Sequence, residues 1–589
     1  MRRTPVICLI LLTVFLCAPL AARSARDDIF SLIRQEHEWA QKNLHRERRL
    51  SPLAIETAAV APRAVDVKHY RLQIRLIPEP PAISGTVTIS GEAVSPVNSL
   101  NVNAYSNLTI DSVVFDGQPR EFQRGSDKLT LNFPAPLPAG RAFTIAVTYH
   151  GSPDTANVLG GGMLVSQHGP EQVTVMATLS EPYAGPSWWP SIDDPTDKAT
   201  VEIEATVPDN FVAASNGVLD RVTAGGDQTA TYFWRSDYPT ATYLVSVAAT
   251  NYVKFEDTYT AKDGVTTMPL VYYVYPEHLD RARQKFAITR TAMQIYAPLF
   301  GEYPFLREKY GMAEFPWGGA MEHQTMTSMG ERVVGSTTGT GYGIIAHELA
   351  HHWWGNLVTM ASWDDIWLNE GFATYSETLF FERFYNLAPG RIMSQSYDDH
   401  KVFGRLGGTV HAENLDNPFD DTGAIYTKGA WVLHMLRHIM GDEAFFAALK
   451  EYARNHAYAN ASTEDFRQVC ESHYGEPLDW FFQQWIYAPG RPIYKVSSRI
   501  APGNSADEYT IRLTIKQKQT HAIPGRAQEL SQVYVMPLDV TIHYADGGSE
   551  TRVVRNDSRN QTFTFTVTKQ PVRVAVDENN WVLKKLKGN

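Results

Sequence analysis

His347-Glu348-Leu349-Ala350-His351, followed after an interval by Trp367-Leu368-Asn369-Glu370-Gly371, is the stretch on which the reading of this chain turns. On a helix, residues four apart lie on one face, one above the other. His347 and His351 can therefore each point a ring nitrogen at one ion, and Glu348 can reach a water on that ion. Glu370 follows His351 by 19 positions. The interval can turn the chain round, because Gly355-Asn356 reads as a helix stop and Asp364-Asp365 as the start of a second helix. Glu370 would then face the histidines from that second helix. Two His and one Glu, with one position left open for water, make a catalytic zinc set, one ion per chain. His352 lies about 100° round the helix from the ligand face; it is expected on the helix surface or in support of the ligands. The plainer alternative is two surface histidines on an amphipathic helix. That alternative has no need of Asn369-Glu370-Gly371 at this spacing.

Composition sets the class. The 589 residues suggest three or four domains. Hydrophobic content of 43% and charged content of 20% are ordinary for a soluble globular protein. A net charge of −11, without a basic run to track phosphates, argues against nucleic acid as a partner. Residues 1–24 read as an export signal: Arg2-Arg3 is basic, Val6 to Leu16 is apolar, and small residues follow from Ala18 to Ala25. The apolar run is short for a membrane span, so cleavage is expected over retention as an anchor, with no stable membrane insertion afterwards. The expected destination is periplasmic or extracellular. Cys8 and Cys17 lie in the signal, and Cys470 alone can form no internal disulfide. Asn107-Leu-Thr and Asn460-Ala-Ser would be sequons in a eukaryotic secretory pathway.

The chain then divides by periodicity into a multidomain α+β protein. Residues 25–64 read as an arm and linker. Residues 65–254 alternate apolar and polar, as in Tyr70-Arg-Leu-Gln-Ile-Arg-Leu and Phe143-Thr-Ile-Ala-Val-Thr-Tyr, and predict a β-sheet domain. Residues 255–490 are mixed α/β. A strand with an open Gly-rich edge is expected from Tyr310 to His323, and a capping box at Ser462-Thr-Glu-Asp465. Pro489-Gly490-Arg491-Pro492 marks a boundary. Alternation returns over 491–589, with a hairpin turn at Asp546-Gly547-Gly548, and predicts a β-sandwich. Trp188, Trp189, Trp353 and Trp354 are expected in the core.

Taken together, the motifs resemble those of the gluzincin zinc aminopeptidases, the aminopeptidase N-like family, whose catalytic domain is thermolysin-like. Gly319-Ala320-Met321-Glu322-His323 is similar to their Gly-x-Met-Glu-Asn exopeptidase motif, with His323 where Asn is usual. Tyr426-Thr427-Lys428-Gly429-Ala430 is similar to their catalytic-tyrosine motif. Ser180-Glu181-Pro182 followed by Asp193-Asp194-Pro195 resembles their N-terminal-domain signature, although Leu179 stands two residues before Glu181 where Gln is frequent. The resemblance runs from about Val65 to the end. Many relatives carry a further large helical domain beyond the sandwich. Its absence from this sequence leads to the expectation of a more open cleft that tolerates longer peptides.

The resemblance implies a zinc-dependent removal of N-terminal residues from peptides with a free N-terminus. His347, His351 and Glu370 would hold zinc. Glu348 would be the general base and Tyr426 would stabilise the oxyanion. Glu322 and Glu181 would bind the substrate's α-amine, and the backbone around Gly319, Ala320 and Met321 would hold the peptide as a strand. The chemistry suits those roles. An α-amine with a pKa of about 7.7–8.0 is largely cationic at neutral pH, and two carboxylates would fix it. A thermolysin-like endopeptidase would also cut N-acetylated substrates. An epoxide-hydrolysing relative or a non-catalytic scaffold would cut neither kind of peptide, and a scaffold has no need of Glu348.

Overall fold

The computed structural model describes residues 63–153, 161–337, 339–388, 390–396, 408–411, 417–505, 507–519, 521–522, 529–530 and 533–587. The expected signal at 1–24 and nearly all of the expected arm lie outside the described residues, as do Cys8 and Cys17.

The N-terminal part is built on an eight-stranded sheet. Its central strand, Val65–Pro78, pairs antiparallel with Pro81–Ala93 and parallel with Ala199–Pro208. Tyr70, Leu72, Ile74 and Leu76 point inward while Arg71, Gln73 and Arg75 are exposed, the period-two pattern of a sheet with one solvated face. A second sheet holds Val212–Ser215, Val247–Thr250, Val173–Leu179 and Gly162–His168 in that order. Its strand Val173–Leu179 leads directly into Ser180-Glu181. Trp188 and Trp189 are fully buried beside it.

The mixed part has a five-stranded sheet in the order Val253–Thr260, Thr267–Val274, Tyr310–Phe315 (β1), Met326–Gly330 (β3) and Ala320–Met321 (β2). The expected open edge is confined to β2. Strand β1 is interior, flanked on both sides by parallel neighbours. The reason lies at Pro316 and Gly318-Gly319, where the chain leaves β1 and doubles back antiparallel to β3. Helix α1 spans Ile288–Phe300, α2 Tyr342–Ala350 and α3 Trp367–Phe384. A π-helical turn, Gly423–Lys428, runs into α4, Gly429–Met440. Helices α5, Asp442–Asn455, and α6, Thr463–Tyr474, follow. The capping box forms as expected: Ser462 Oγ accepts from Asp465 N, and Asp465 Oδ2 accepts from Ser462 N at 2.8 Å.

The C-terminal part is a sandwich of two sheets. One runs Asn560–Val567 (β6), Tyr509–Gln517 (β5), Ile493–Pro502 (β4) and Lys585–Lys587 (β7). The other holds Ser549–Asn556, Met536–Tyr544 and Pro571–Val576, the first two joined through the Asp546-Gly547-Gly548 turn. The sandwich docks on α4, where Trp581 stacks between His434 and His438, and His438 pairs with Asp539. One apolar core runs through all three parts and includes Trp353, Trp354 and the free Cys470.

Candidate metal centre and active site

Helix α2 is short, buried along nearly its whole length, and carries His347 near its end. It stops one residue before His351, earlier than the expected stop at Gly355-Asn356. His351 still has helical φ and ψ, so the two rings remain one turn apart on one face, meeting edge to face with centroids 4.6 Å apart. Gly355 takes φ +126°. A Cβ there would also meet Asn369 Nδ2 at 3.2 Å and His351 Nδ1 at 3.4 Å, so only glycine allows this turn. The chain then enters α3 through a 3₁₀ turn, Trp363–Asp365, in which Ser362 Oγ accepts from Asp364 N.

The three expected ligands converge. His347 Nε2 lies 3.0 Å from His351 Nε2 and 3.3 Å from Glu370 Oε2, and His351 Nε2 lies 3.4 Å from the same oxygen. Donors on a tetrahedral ion at about 2.0–2.1 Å stand about 3.3 Å apart. The outer nitrogens settle which way each ring presents its lone pair. His347 Nδ1 lies 2.8 Å from Glu377 Oε1, and His351 Nδ1 lies 2.9 Å from the Trp354 carbonyl. Both partners are acceptors, so each Nδ1 carries the proton and each Nε2 turns a lone pair inward. Two neutral imidazoles and one anionic carboxylate at these separations fit Zn2+.

Glu348 is 3% exposed, and its Oε2 has no hydrogen-bond partner among the described residues. Burial pushes this carboxyl up to about 8, against the pull of His347 and His351. Glu348, unlike the ligand Glu370, is placed to take up and release a proton. Ligating atoms of Glu322, Glu348 and His351 all lie within 4.8 Å of one another. Glu181 of the N-terminal part is also buried, at 5% exposure. Tyr243 marks the meeting point: burial raises its phenol well above the usual range, and the carboxylates of Glu322, Glu181 and Glu370 add to the rise. The Tyr243 hydroxyl accepts from Asn369 Nδ2 at 3.1 Å.

Tyr426 is placed by the π-helical turn, its ring parallel to that of His347 with centroids 6.1 Å apart. The next-but-one residue, Lys428, is fully buried and donates to the carbonyls of Gly408 at 2.6 Å and Ala488 at 3.0 Å. At the sheet edge, Gly319 and Met321 are partly committed to the fold. Gly330 N donates to the Gly319 carbonyl at 2.9 Å, and Ala320 and Met321 pair with Met329 and Ser328. By the alternation of an antiparallel ladder, Ala320 turns its N–H and carbonyl outward. His323 is buried, its Nδ1 2.8 Å from Ser328 Oγ, and burial lowers its pKa to about 3, so it stays neutral.

His352 is not a surface residue. It is fully buried, its Nδ1–H donates to the Glu348 carbonyl at 3.2 Å, and its Nε2 accepts from Thr325 N at 3.1 Å. It therefore ties the helix of Glu348 to the loop of Glu322. Other supports were not singled out in the sequence. Lys198 Nζ reaches across from the N-terminal part to the carbonyls of Asn356 and Leu357 at 2.9 and 3.1 Å. Asn356 Nδ2 in turn donates to the Glu322 carbonyl at 2.8 Å. Asn216 Nδ2 donates to the carbonyls of Leu244 and Gln324. Only Glu377 had a local signal, standing seven residues and two turns after Glu370 on the same helix.

The Peptidase M1 N-terminal domain matches residues 66–244, and the Peptidase family M1 domain matches residues 285–485. Aminopeptidase M1 of Arabidopsis thaliana is 30% identical over 471 residues, 74% of this chain and 51% of its own length. Aminopeptidase N of Lactococcus lactis subsp. lactis is 25% identical over 494 residues, 80% of this chain and 55% of its own. The chain thus spans about half the length of these curated relatives. The fold is also that of Legionella pneumophila aminopeptidase A in complex with aspartic acid, with a TM-score of 0.75 over 90% of this chain and 60% of that one at 18% identity. A mutant M1 zinc metallopeptidase from Deinococcus radiodurans, bound to a Tyr-Ser-Ala substrate, has a TM-score of 0.62 at 25% identity over 73% of this chain and 96% of its own. The two matched domains cover most of residues 66–485 and contain every ligand and carboxylate of the site, and the chain belongs to peptidase family M1.

Proposed function

We propose that this protein is a zinc aminopeptidase that removes the N-terminal residue from peptides with a free α-amine. One observation carries the reading: the Glu322 carboxylate lies within 4.8 Å of both Glu348 and His351. A cation held by Glu322 would stand one residue's length from the reacting carbonyl. Glu181 acts on Tyr243 together with Glu322, so the substrate's α-ammonium would meet two carboxylates. Binding then selects the first peptide bond.

When bound, zinc supplies Lewis acidity to the scissile carbonyl and lowers the pKa of the attacking water to about 7. Glu348 accepts the water's proton and passes it to the leaving amine. The Tyr426 hydroxyl donates to the developing oxyanion, where a preorganised donor is most effective. The outward N–H and carbonyl of Ala320 add the peptide as a strand to the open edge of β2. Buried neutral His323 beside Glu322 leaves the charge balance of the amine pocket unchanged. The chain is further read as exported, from residues 1–24.

Hydrolysis of aminoacyl-arylamides beside their N-acetylated forms tests this, with Glu348→Gln as control. Cleavage of free-amine substrates only, lost in the control, is expected. Equal cleavage of blocked substrates would instead make the protein an endopeptidase and remove Glu181 and Glu322 from the site.

A further inference from the structure

Away from the site, charge is unevenly placed. Residues 491–589 hold 15 Lys and Arg against 9 Asp and Glu, in a chain whose net charge is −11. The excess gathers on one face of the sandwich. Ile511, Leu513 and Ile515 of β5 point into the core, so Arg512 and Lys516 point out. On β4, Lys495 and Arg499 are exposed. The ladder sets Lys495 directly opposite Lys516, and Arg499 directly opposite Arg512. On the other side of β4, Lys587 of β7 stands beside Lys495. Three lysines thus cross three strands in a row, with two arginines about 13 Å further along. The outward positions of β4, β5, β6 and β7 hold no Asp or Glu. Asp507, Glu508 and Asp557 sit in turns at the ends of the strands. None of these five cations makes an ion pair among the described residues.

Like charges directly opposite each other destabilise a ladder. Lysines on edge strands guard against unwanted pairing, but β4 and β5 are the two central strands of this sheet. Edge protection does not account for them. The charges of the face are spread across three strands, and its outward positions carry no aromatic platform on which bases could stack.

We propose that this face docks the protein peripherally on an anionic lipid bilayer, with headgroup phosphates facing Lys495, Lys516, Lys587, Arg499 and Arg512. A layer of headgroup phosphates matches cations spread across three strands. The acidic remainder of the chain is repelled by the same surface, which fixes the orientation. Among the described residues, no helix is long and apolar enough to cross a membrane.

Co-sedimentation of the full chain with vesicles tests this. One set is phosphatidylcholine alone, the other equal parts of phosphatidylcholine and phosphatidylglycerol. The chain is expected to sediment with the anionic vesicles only, and to be released as salt shortens the Debye length from about 10 Å at 0.1 M to about 3 Å at 1 M. The variant Lys495→Gln/Arg499→Gln/Arg512→Gln/Lys516→Gln is expected to lose about tenfold or more in vesicle affinity. It should keep arylamide hydrolysis and unfold at a higher temperature, because the like-charge pairs are gone. If the fourfold variant does not fold, Lys495→Gln/Lys516→Gln takes its place with a smaller loss of binding. Absence of sedimentation with anionic vesicles at low salt overturns the proposal, as does undiminished binding by the folded variant. Retention on heparin without vesicle binding overturns the lipid assignment in favour of a soluble polyanion.

Discussion

Gly371 and Gly429 touch backbone to backbone: a Cβ on either would stand 3.0 Å from the other's Cα. This contact presses α3, which carries Glu370, against the turn that carries Tyr426. Gly371 follows the ligand by one residue and Gly429 follows the tyrosine by three. A methyl group at either position would separate a zinc ligand from the oxyanion donor.

Gly429→Ala is therefore expected to lower kcat by about 10–100-fold, since misplacement of about 1 Å in a catalytic group has effects of that size. Overpacking should also destabilise the fold by about 1–3 kcal/mol. Bound zinc should be retained, because no ligand is altered. Steady-state kinetics with metal analysis checks this. Wild-type kcat in a folded, zinc-loaded variant would show that Tyr426 does not depend on the contact.

Asn356→Ala removes the side-chain donor to the Glu322 carbonyl. The expected result is a rise in KM of about tenfold for free-amine substrates with a smaller change in kcat, as for loss of one hydrogen bond that positions the bound amine. Lys198→Met, which lets go of the Asn356 and Leu357 carbonyls from the other side, should move KM in the same direction. A change confined to kcat in both variants would sink the link from Lys198 through Asn356 to Glu322.

Glu377 accepts from His347 Nδ1. Glu377→Gln should weaken zinc affinity by about 10–100-fold, the usual consequence of losing a carboxylate behind a ligating histidine. Competition with a chelator measures it. Complete zinc removal should abolish hydrolysis and lower Tm, since an ion bound only by the folded chain stabilises it by mass action. Equal chelator sensitivity in the variant and the parent would remove Glu377 from the metal's support.

Lys428, which is not a metal ligand, supplies a pH test. Burial lowers its pKa to about 7 in the folded chain, against about 10.4 when unfolded. Between these values the unfolded state binds more protons, so the contribution of Lys428 to stability rises with pH from about 7 to about 10. Below pH 7 the full penalty of burying its charge is present. Lys428→Met lacks this dependence. The Tm of the wild type should therefore gain on that of the variant across this range in thermal melts. A constant difference would mean that the ammonium stays charged in place, held by the Gly408 and Ala488 carbonyls.

Much of the site was legible because it is local. His347 and His351 are four residues apart on one helix, and Glu377 is seven residues after Glu370 on another, so helical pitch alone places each pair on a face. The turn between the two helices was also readable, from Gly355-Asn356 and from the Asp364-Asp365 start. The outward cations of β4 and β5 follow from alternation. Their like-with-like opposition does not, because it depends on register between strands.

What the linear chain determined, then, was the kind of each element, the metal-binding set and the three-part architecture, since these rest on short-range periodicity and residue chemistry. Tertiary structure alone decided that Lys198, Asn216 and Tyr243 of the N-terminal part reach into the site. It also decided between the two places open to His352, the helix surface and the support of the ligands, in favour of the second, and that the open edge is Ala320–Met321 and not the whole strand. Each of these depends on distances between elements far apart in sequence. Those distances are set by how twisted sheets and helix faces fill a common core, and no local pattern encodes them.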